Sequence, residues 1–254
     1  MSVRTKALLL NSAALRESDL LAVLFTEKLG KVRALAKGAL RSKKRFLGSM
    51  LNLNELQIEL APLKGGDIDF RLENADLIHS RFDLAQDPER LGCAYTLAEL
   101  VERTSPELSA EPELYRLLAD GITNIAGRKN FREYFFYCLF NIMRNLGYPP
   151  SLETCAICGQ KLGTRMKNYL FSIERGGFVE ETHAGLKKGM VHVAPSLAQT
   201  LMAISRAGAK GTIRVRLSER DWTAGVKLFL EFTAWHLEKP LLSLFFLRNF
   251  SSPK

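Results

Sequence analysis

Apolar side chains recur at every second residue up to about residue 80 and at helical spacing for most of the chain beyond it. That change of period constrains the fold more than any single motif. A strand buries alternate residues, whereas a helix buries a stripe at every third or fourth. Arg4 to Leu10 reads as a first strand, Leu20 to Thr26 as a second, and Lys31 to Lys37, after a turn at Gly30, as a third. Leu56, Ile58 and Leu60 alternate with Gln57 and Glu59 in a fourth. Past the Gly65-Gly66 turn, Ile68, Phe70 and Leu72 alternate with Asp69 and Arg71 in a fifth. Five short strands within 1–80 and no long helix predict a small closed β-barrel of the OB-fold type.

Residues 81–254 predict an α-helical bundle domain, so the chain is α+β and multidomain. Asp87-Pro88 supplies an N-cap and a proline at the first helical position. Leu91, Tyr95, Ala98 and Glu102 follow at helical spacing, with Ala94, Leu97 and Val101 widening the apolar face. A second helix starts near Glu111-Pro112. A third runs from about Asn130 to Leu146, with Phe131, Phe135, Leu139, Ile142, Met143 and Leu146 inward and Gly147 after its end. Residues 151–190 lose this periodicity and form a small insert with a Cys pair and a Gly176-Gly177 turn. Helices return over Pro195 to Arg206 and Glu219 to Glu238, and the apolar segment Pro240 to Phe250 is expected to dock on the bundle.

The third strand opens the most cationic stretch of the chain, KVRALAKGALRSKKR over 31–45. Lys31, Arg33 and Lys37 share one parity with Leu35, while Val32, Ala34 and Ala36 take the other. Gly38 breaks the pattern, and Arg41, Lys43, Lys44 and Arg45 follow. Seven cations with no acid among them repel one another unless an anion is usually at hand. Together with a net charge of +9 on 254 residues, they nominate a nucleic-acid surface. Bases held on such a barrel usually stack on aromatics. Phe46, Phe25 and Phe70 are the candidates, with Phe25 better suited to the core.

Cys155-Ala156-Ile157-Cys158-Gly159 has the spacing of a zinc knuckle. The positions where a second pair would fall hold Glu180-Glu181-Thr182-His183. His183 offers a third donor and Glu180 a fourth, a mixture of hard and soft ligands that structural zinc sites rarely use. The expectation is less than one equivalent of zinc. Cys93 and Cys138 lie in apolar helical stretches as buried thiols. A thiol oxidoreductase built on Cys155 and Cys158 is one alternative, although no thioredoxin-like pattern surrounds them. An RNA-binding or ribosome-associated OB-fold protein is another.

No phosphate loop, G-x-S-x-G, H-E-x-x-H or G-x-G-x-x-G occurs, so nothing nominates an enzyme. No apolar run reaches the roughly 20 residues that span a bilayer, and the N-terminus does not read as a secretory signal. Four cysteines fit a reducing, cytoplasmic setting.

A set of ordered pieces resembles the RecO family of bacterial recombination mediators. They are Ala7-Leu8-Leu9-Leu10, Glu17-Ser18-Asp19, Leu24-Phe25-Thr26, Gly30-Lys31-Val32, Ala36-Lys37-Gly38-Ala39 and the Arg41 to Arg45 cations. Leu146-Gly147-Tyr148-Pro149, the Cys pair, Gly176-Gly177-Phe178, Lys239-Pro240-Leu241-Leu242-Ser243 and Phe246-Leu247 continue the match. The resemblance implies an OB-fold, a helical domain and a zinc-finger-like insert. It also implies a non-enzymatic, nucleoid-associated protein that binds single- and double-stranded DNA and anneals complementary strands. Such a protein works with RecR in loading RecA, and it contacts the acidic C-terminal tail of single-stranded-DNA-binding protein. The family's second Cys-x-x-Cys is replaced here by Glu180 and His183, which bears on zinc alone. Arg128, Lys129 and Arg132 beside Phe131, Phe135 and Phe136 are the candidate docking residues for the tail, pairing cations with apolar side chains.

Overall fold

The computed structural model describes residues 2–42, 45–46, 48–63, 68–163, 169–180, 182–183, 189–207 and 213–250. The expected five strands form: β1 (Val3–Ala14), β2 (Leu20–Thr26), β3 (Gly30–Ala36), β4 (Glu55–Pro62) and β5 (Phe70–His79). They close into a barrel in the order β1-β2-β3-β5-β4, the five-stranded closure expected of an OB-fold. All neighbours are antiparallel except β3 and β5.

The barrel interior is lined by the alternate residues read from sequence. Val32, Ala34 and Ala36 of β3 are fully buried, as are Leu56, Leu60 and Leu72, with Ile58 nearly so. Many inner positions are alanine, and the bulky Phe46 completes the packing from the loop after β3. A short 3-10 turn (Ala39–Arg41) leads out of β3.

The parallel β3–β5 seam is short. Only Ala34 with Phe70 and Leu35 with Arg71 are paired, which leaves the start of β3 with unmet backbone groups. Other segments meet them. Arg33 N donates to Asp69 Oδ2 at 3.1 Å. Lys31 O accepts from Leu108 N at 2.9 Å, and Lys31 and Glu107 form a parallel bridge. Gly30 permits this crossing. A Cβ there would lie 1.8 Å from Ser109 O, and its φ of +70° is one that L side chains rarely adopt.

The helices are α1 (Pro88–Thr104), α2 (Pro112–Gly127), α3 (Phe131–Asn145), α4 (Pro195–Arg206), α5 (Glu219–His236) and α6 (Leu242–Phe250). A three-stranded sheet, β6 (Tyr169–Ser172), β7 (Gly177–Val179) and β8 (Met190–Val193), runs in the order β7-β6-β8. The chain divides into two compact units: 1–87 with 97–126, and 88–96 with 127–254.

The second unit is built on aromatic rings. Phe136 meets Trp222 at 5.4 Å and Phe229 at 5.6 Å, while Phe171 of the small sheet meets Phe229 and Phe232 of α5. The buried face of α3 is wider than a single stripe, because Phe135 through Phe140 are all buried. Within the described residues, no helix is long and apolar enough to cross a membrane.

Candidate nucleic-acid interface and thiol cluster

The structure divides the basic stretch into two groups. Lys31 Nζ donates to Glu102 O at 2.7 Å. Arg33 pairs with Glu107 at 3.0 Å. Both side chains are therefore occupied by the segment that seals the β3 seam. A backbone carbonyl meets Lys31 and the Glu107 carboxylate meets Arg33, so residues 102–107 help a run without internal acids to be tolerated.

Lys37, Arg41 and Arg45 form the second group, where β3 leaves the barrel. Gly38 N donates to Asp19 Oδ1 at 2.8 Å, and Leu40 N donates to Ser18 O at 3.0 Å. The turn that carries the cations is thus fastened to the β1–β2 loop. Arg45 Nη2 donates to Lys37 O at 3.0 Å, and its guanidinium lies 5.1 Å from the ring centre of Phe46. Lys37, Arg41 and Arg45 are all exposed. Arg41 approaches Glu17 at 3.6 Å, but both side chains are mostly in solvent, 73% and 92% exposed. A pair so hydrated is worth little. Lys43 and Lys44 lie outside the described residues.

Two of the three aromatics nominated for base stacking are unavailable, and the third, Phe70, is half-buried. Phe25 and Phe46 are buried core residues, and Phe70 packs against the barrel core.

In the insert, the ligand atoms of Cys155, Cys158 and His183 lie within 4.8 Å of one another. Ser151 N and Phe178 N tie the Cys loop to the Gly176-Gly177 turn by bonds of 2.8 Å to Gly176 O and Ser151 O. Gly159, at φ +75°, closes the knuckle. Burial opposes ionisation of Cys155. Backbone donors from Glu180, Cys158 and Ile157, with the Cys158 side chain, outweigh it and hold the thiol below its usual range. Glu180 contributes its N–H to Cys155 Sγ at 3.4 Å. Among the described residues, its carboxylate does not join the cluster. Two sulfurs and an imidazole, with amide donors aimed at a buried sulfur, fit zinc with three protein ligands.

The three residues nominated for the partner tail have different surroundings. Arg132 is held by Glu89, with contacts of 2.8–3.0 Å, and by Glu219. Burial works against its charge, yet these carboxylates more than compensate and raise its pKa. Arg128 and Lys129 are exposed, and Arg128 lies 4.8 Å from the ring of Tyr134. Phe135 and Phe136 are core.

One cluster had no sequence signal. Buried Glu55 accepts from Tyr115 Oη at 3.0 Å and meets His79 Nδ1 at 2.8 Å, with Arg81 Nη2 at 4.0 Å. Burial raises the Tyr115 pKa, helped by the adjacent Glu55. Burial lowers that of Arg81 against the pull of Glu55.

Comparison with known proteins matches this arrangement end to end. The model for the N-terminal part of recombination protein O matches residues 1–81, and that for its C-terminal part matches 85–245. The DNA repair protein RecO of Geobacter metallireducens is 30% identical over 248 residues, 98% of each chain. That of Myxococcus xanthus is 27% identical over 241 residues, 95% of each. The RecO of Syntrophobacter fumaroxidans is 32% identical over 177 residues, 69% of this chain and 68% of its own. A five-stranded barrel, a helical unit with a small sheet and this match over nearly the whole length lead to one assignment: the chain belongs to the RecO family of DNA repair and recombination proteins.

Proposed function

We propose that this chain is a cytoplasmic recombination mediator without catalytic activity. It binds single- and double-stranded DNA, anneals complementary strands and, with RecR, helps to load RecA onto DNA coated by single-stranded-DNA-binding protein. The observation that carries this reading is the exposed group Lys37, Arg41 and Arg45 on a fastened turn of an OB-fold barrel, in a chain of this family. Cations held there neutralise phosphates, so two strands approach one another despite their repulsion. Base pairing then supplies the driving force, and no bond is made or broken by the protein.

Strand annealing with the purified protein tests the reading, with bare strands and with strands coated by single-stranded-DNA-binding protein. Accelerated annealing on both is expected, and replacing Lys37, Arg41 and Arg45 by alanine should slow it. Annealing no faster than in buffer would refute it.

Cys155, Cys158 and His183 would supply three of the four donors that a structural zinc takes, and the ion would cross-link the knuckle to the turn bearing His183. Elemental analysis checks this. Zinc should be taken up by the wild-type protein and lost from His183→Ala, and wild-type protein that takes up none would overturn it. The oxidoreductase reading is disfavoured because the thiol of lowered pKa, Cys155, is the buried one, where a disulfide substrate has no approach.

A further inference from the structure

We infer that the barrel grips a DNA strand through its backbone alone and leaves the bases uncovered for pairing. The inference rests on the DNA-binding reading above and adds how the strand is held. Sequence-tolerant single-strand sites ordinarily combine a basic groove with aromatic side chains on which successive bases stack. Residues 1–80 hold no tryptophan, no tyrosine and three phenylalanines. Phe25 is 0% exposed and Phe46 3% exposed, and Phe70 is half-buried against the core. The single imidazole, His79, lies at the far end of β5, 55% exposed and engaged by Glu55 at 2.8 Å. The two segments that carry the exposed cationic turn, 15–19 and 37–45, hold no aromatic residue on which a base can lie.

What the barrel presents there instead is a rigid cationic edge. Asp19 is a buried carboxylate whose Oδ1 accepts from both Gly38 N and Ser18 Oγ. With the bond from Leu40 N to Ser18 O, it locks the turn bearing Lys37 and Arg41 onto the β1–β2 loop. Arg45 is fixed in turn to the carbonyl of Lys37. Leu15 and Leu40, the exposed apolar side chains of these two segments, have no π face and suit deoxyribose.

Such an edge meets phosphate and sugar, which single and double strands share. It also suits annealing, because a base stacked on protein must be released before it can pair, whereas a base left outward need not be.

The test compares full-length protein binding to an oligothymidylate and to an oligonucleotide of equal length whose sites are all abasic. One stacked base lost would already weaken binding by about fivefold or more. Equal affinities within that factor are expected. The double substitution Lys37→Ala with Arg41→Ala should lower both affinities by the same factor while leaving the thermal unfolding midpoint in place. An abasic strand bound more than about fivefold weaker would overturn the inference and leave the DNA-binding reading intact. Unchanged affinity in the double variant would move the grip off this edge and overturn it too. Binding of neither oligonucleotide would overturn the DNA-binding reading, and the inference with it.

Discussion

Glu55 shows how much of the first unit hangs on one buried charge. Its carboxylate is acceptable away from water only because Tyr115, His79 and Arg81 surround it. Tyr115→Phe removes a hydrogen bond to a charged group and should cost about 1.5–3 kcal/mol, read as a lower urea midpoint with an unchanged slope. The alkaline limb carries a further signature. The folded pKa of Tyr115 lies above that of the unfolded chain, near 10. Its contribution is therefore fully present below about pH 10. It falls away at higher pH, where the unfolded state alone releases the proton. Tyr115→Phe should flatten the fall in stability above that pH relative to wild type. A parallel fall in both proteins would show that Tyr115 ionises equally in both states. Nothing local in the sequence marks this cluster. Glu55 and Tyr115 are 60 residues apart, and each alone reads as an ordinary position at the edge of a strand or on a helix.

At the scale of elements, β3 shows where a one-dimensional reading works and where it stops. Parity along the strand identified which residues fill the barrel, because alternation is a local property of the backbone. The partners of its outward cations were not legible, since Glu102 and Glu107 arrive from the end of α1 and the segment after it. Over the six residues from Lys31 to Lys37 a strand advances roughly 20 Å, enough to put the two groups of cations in separate surroundings. This alters the expected salt dependence. Seven contacts to a single strand would give a slope of log K against log salt of about −5. With Lys31 and Arg33 occupied, the five cations Lys37, Arg41, Lys43, Lys44 and Arg45 give about −3.5. Anisotropy titrations across a salt series distinguish the two, and a slope near −5 would return Lys31 and Arg33 to the DNA. Glu17 adds a second check. It places a carboxylate at the cationic edge, so Glu17→Gln should strengthen binding at low salt, with an effect that fades as salt is raised. Weaker binding would mean that Glu17 positions Arg41 for the contact.

For the whole molecule, the change in hydrophobic period near residue 80 located the passage from barrel to helices. Its assignment of residues 97–126 could not be read that way, because those helical residues belong to the compact unit of the barrel and periodicity does not say what a helix packs on. The apolar core of the second unit was legible in type, since residues at helical spacing such as Phe135 and Leu139 must be buried. That burial also limits where an acidic, hydrophobe-terminated tail can dock. Arg132 is committed to Glu89 and Glu219, so the proposed tail contact is tested first at the exposed Arg128 and Lys129. Replacing both by alanine should weaken a labelled tail peptide while lowering the thermal midpoint less than Arg132→Ala does. Arg132→Ala should instead lower the thermal midpoint, because it strands the half-buried Glu89 without its cation. DNA and tail are both anionic, and they would compete if they used the same cations. If DNA uses Lys37, Arg41 and Arg45 and the tail uses Arg128 and Lys129, the two draw on different cations, and both ligands should bind together. Saturating oligothymidylate should leave the anisotropy of the bound tail peptide high. Displacement of the peptide, with full tail affinity retained in the Arg128 and Lys129 variant, would put the tail on the barrel edge and make the two ligands exclusive.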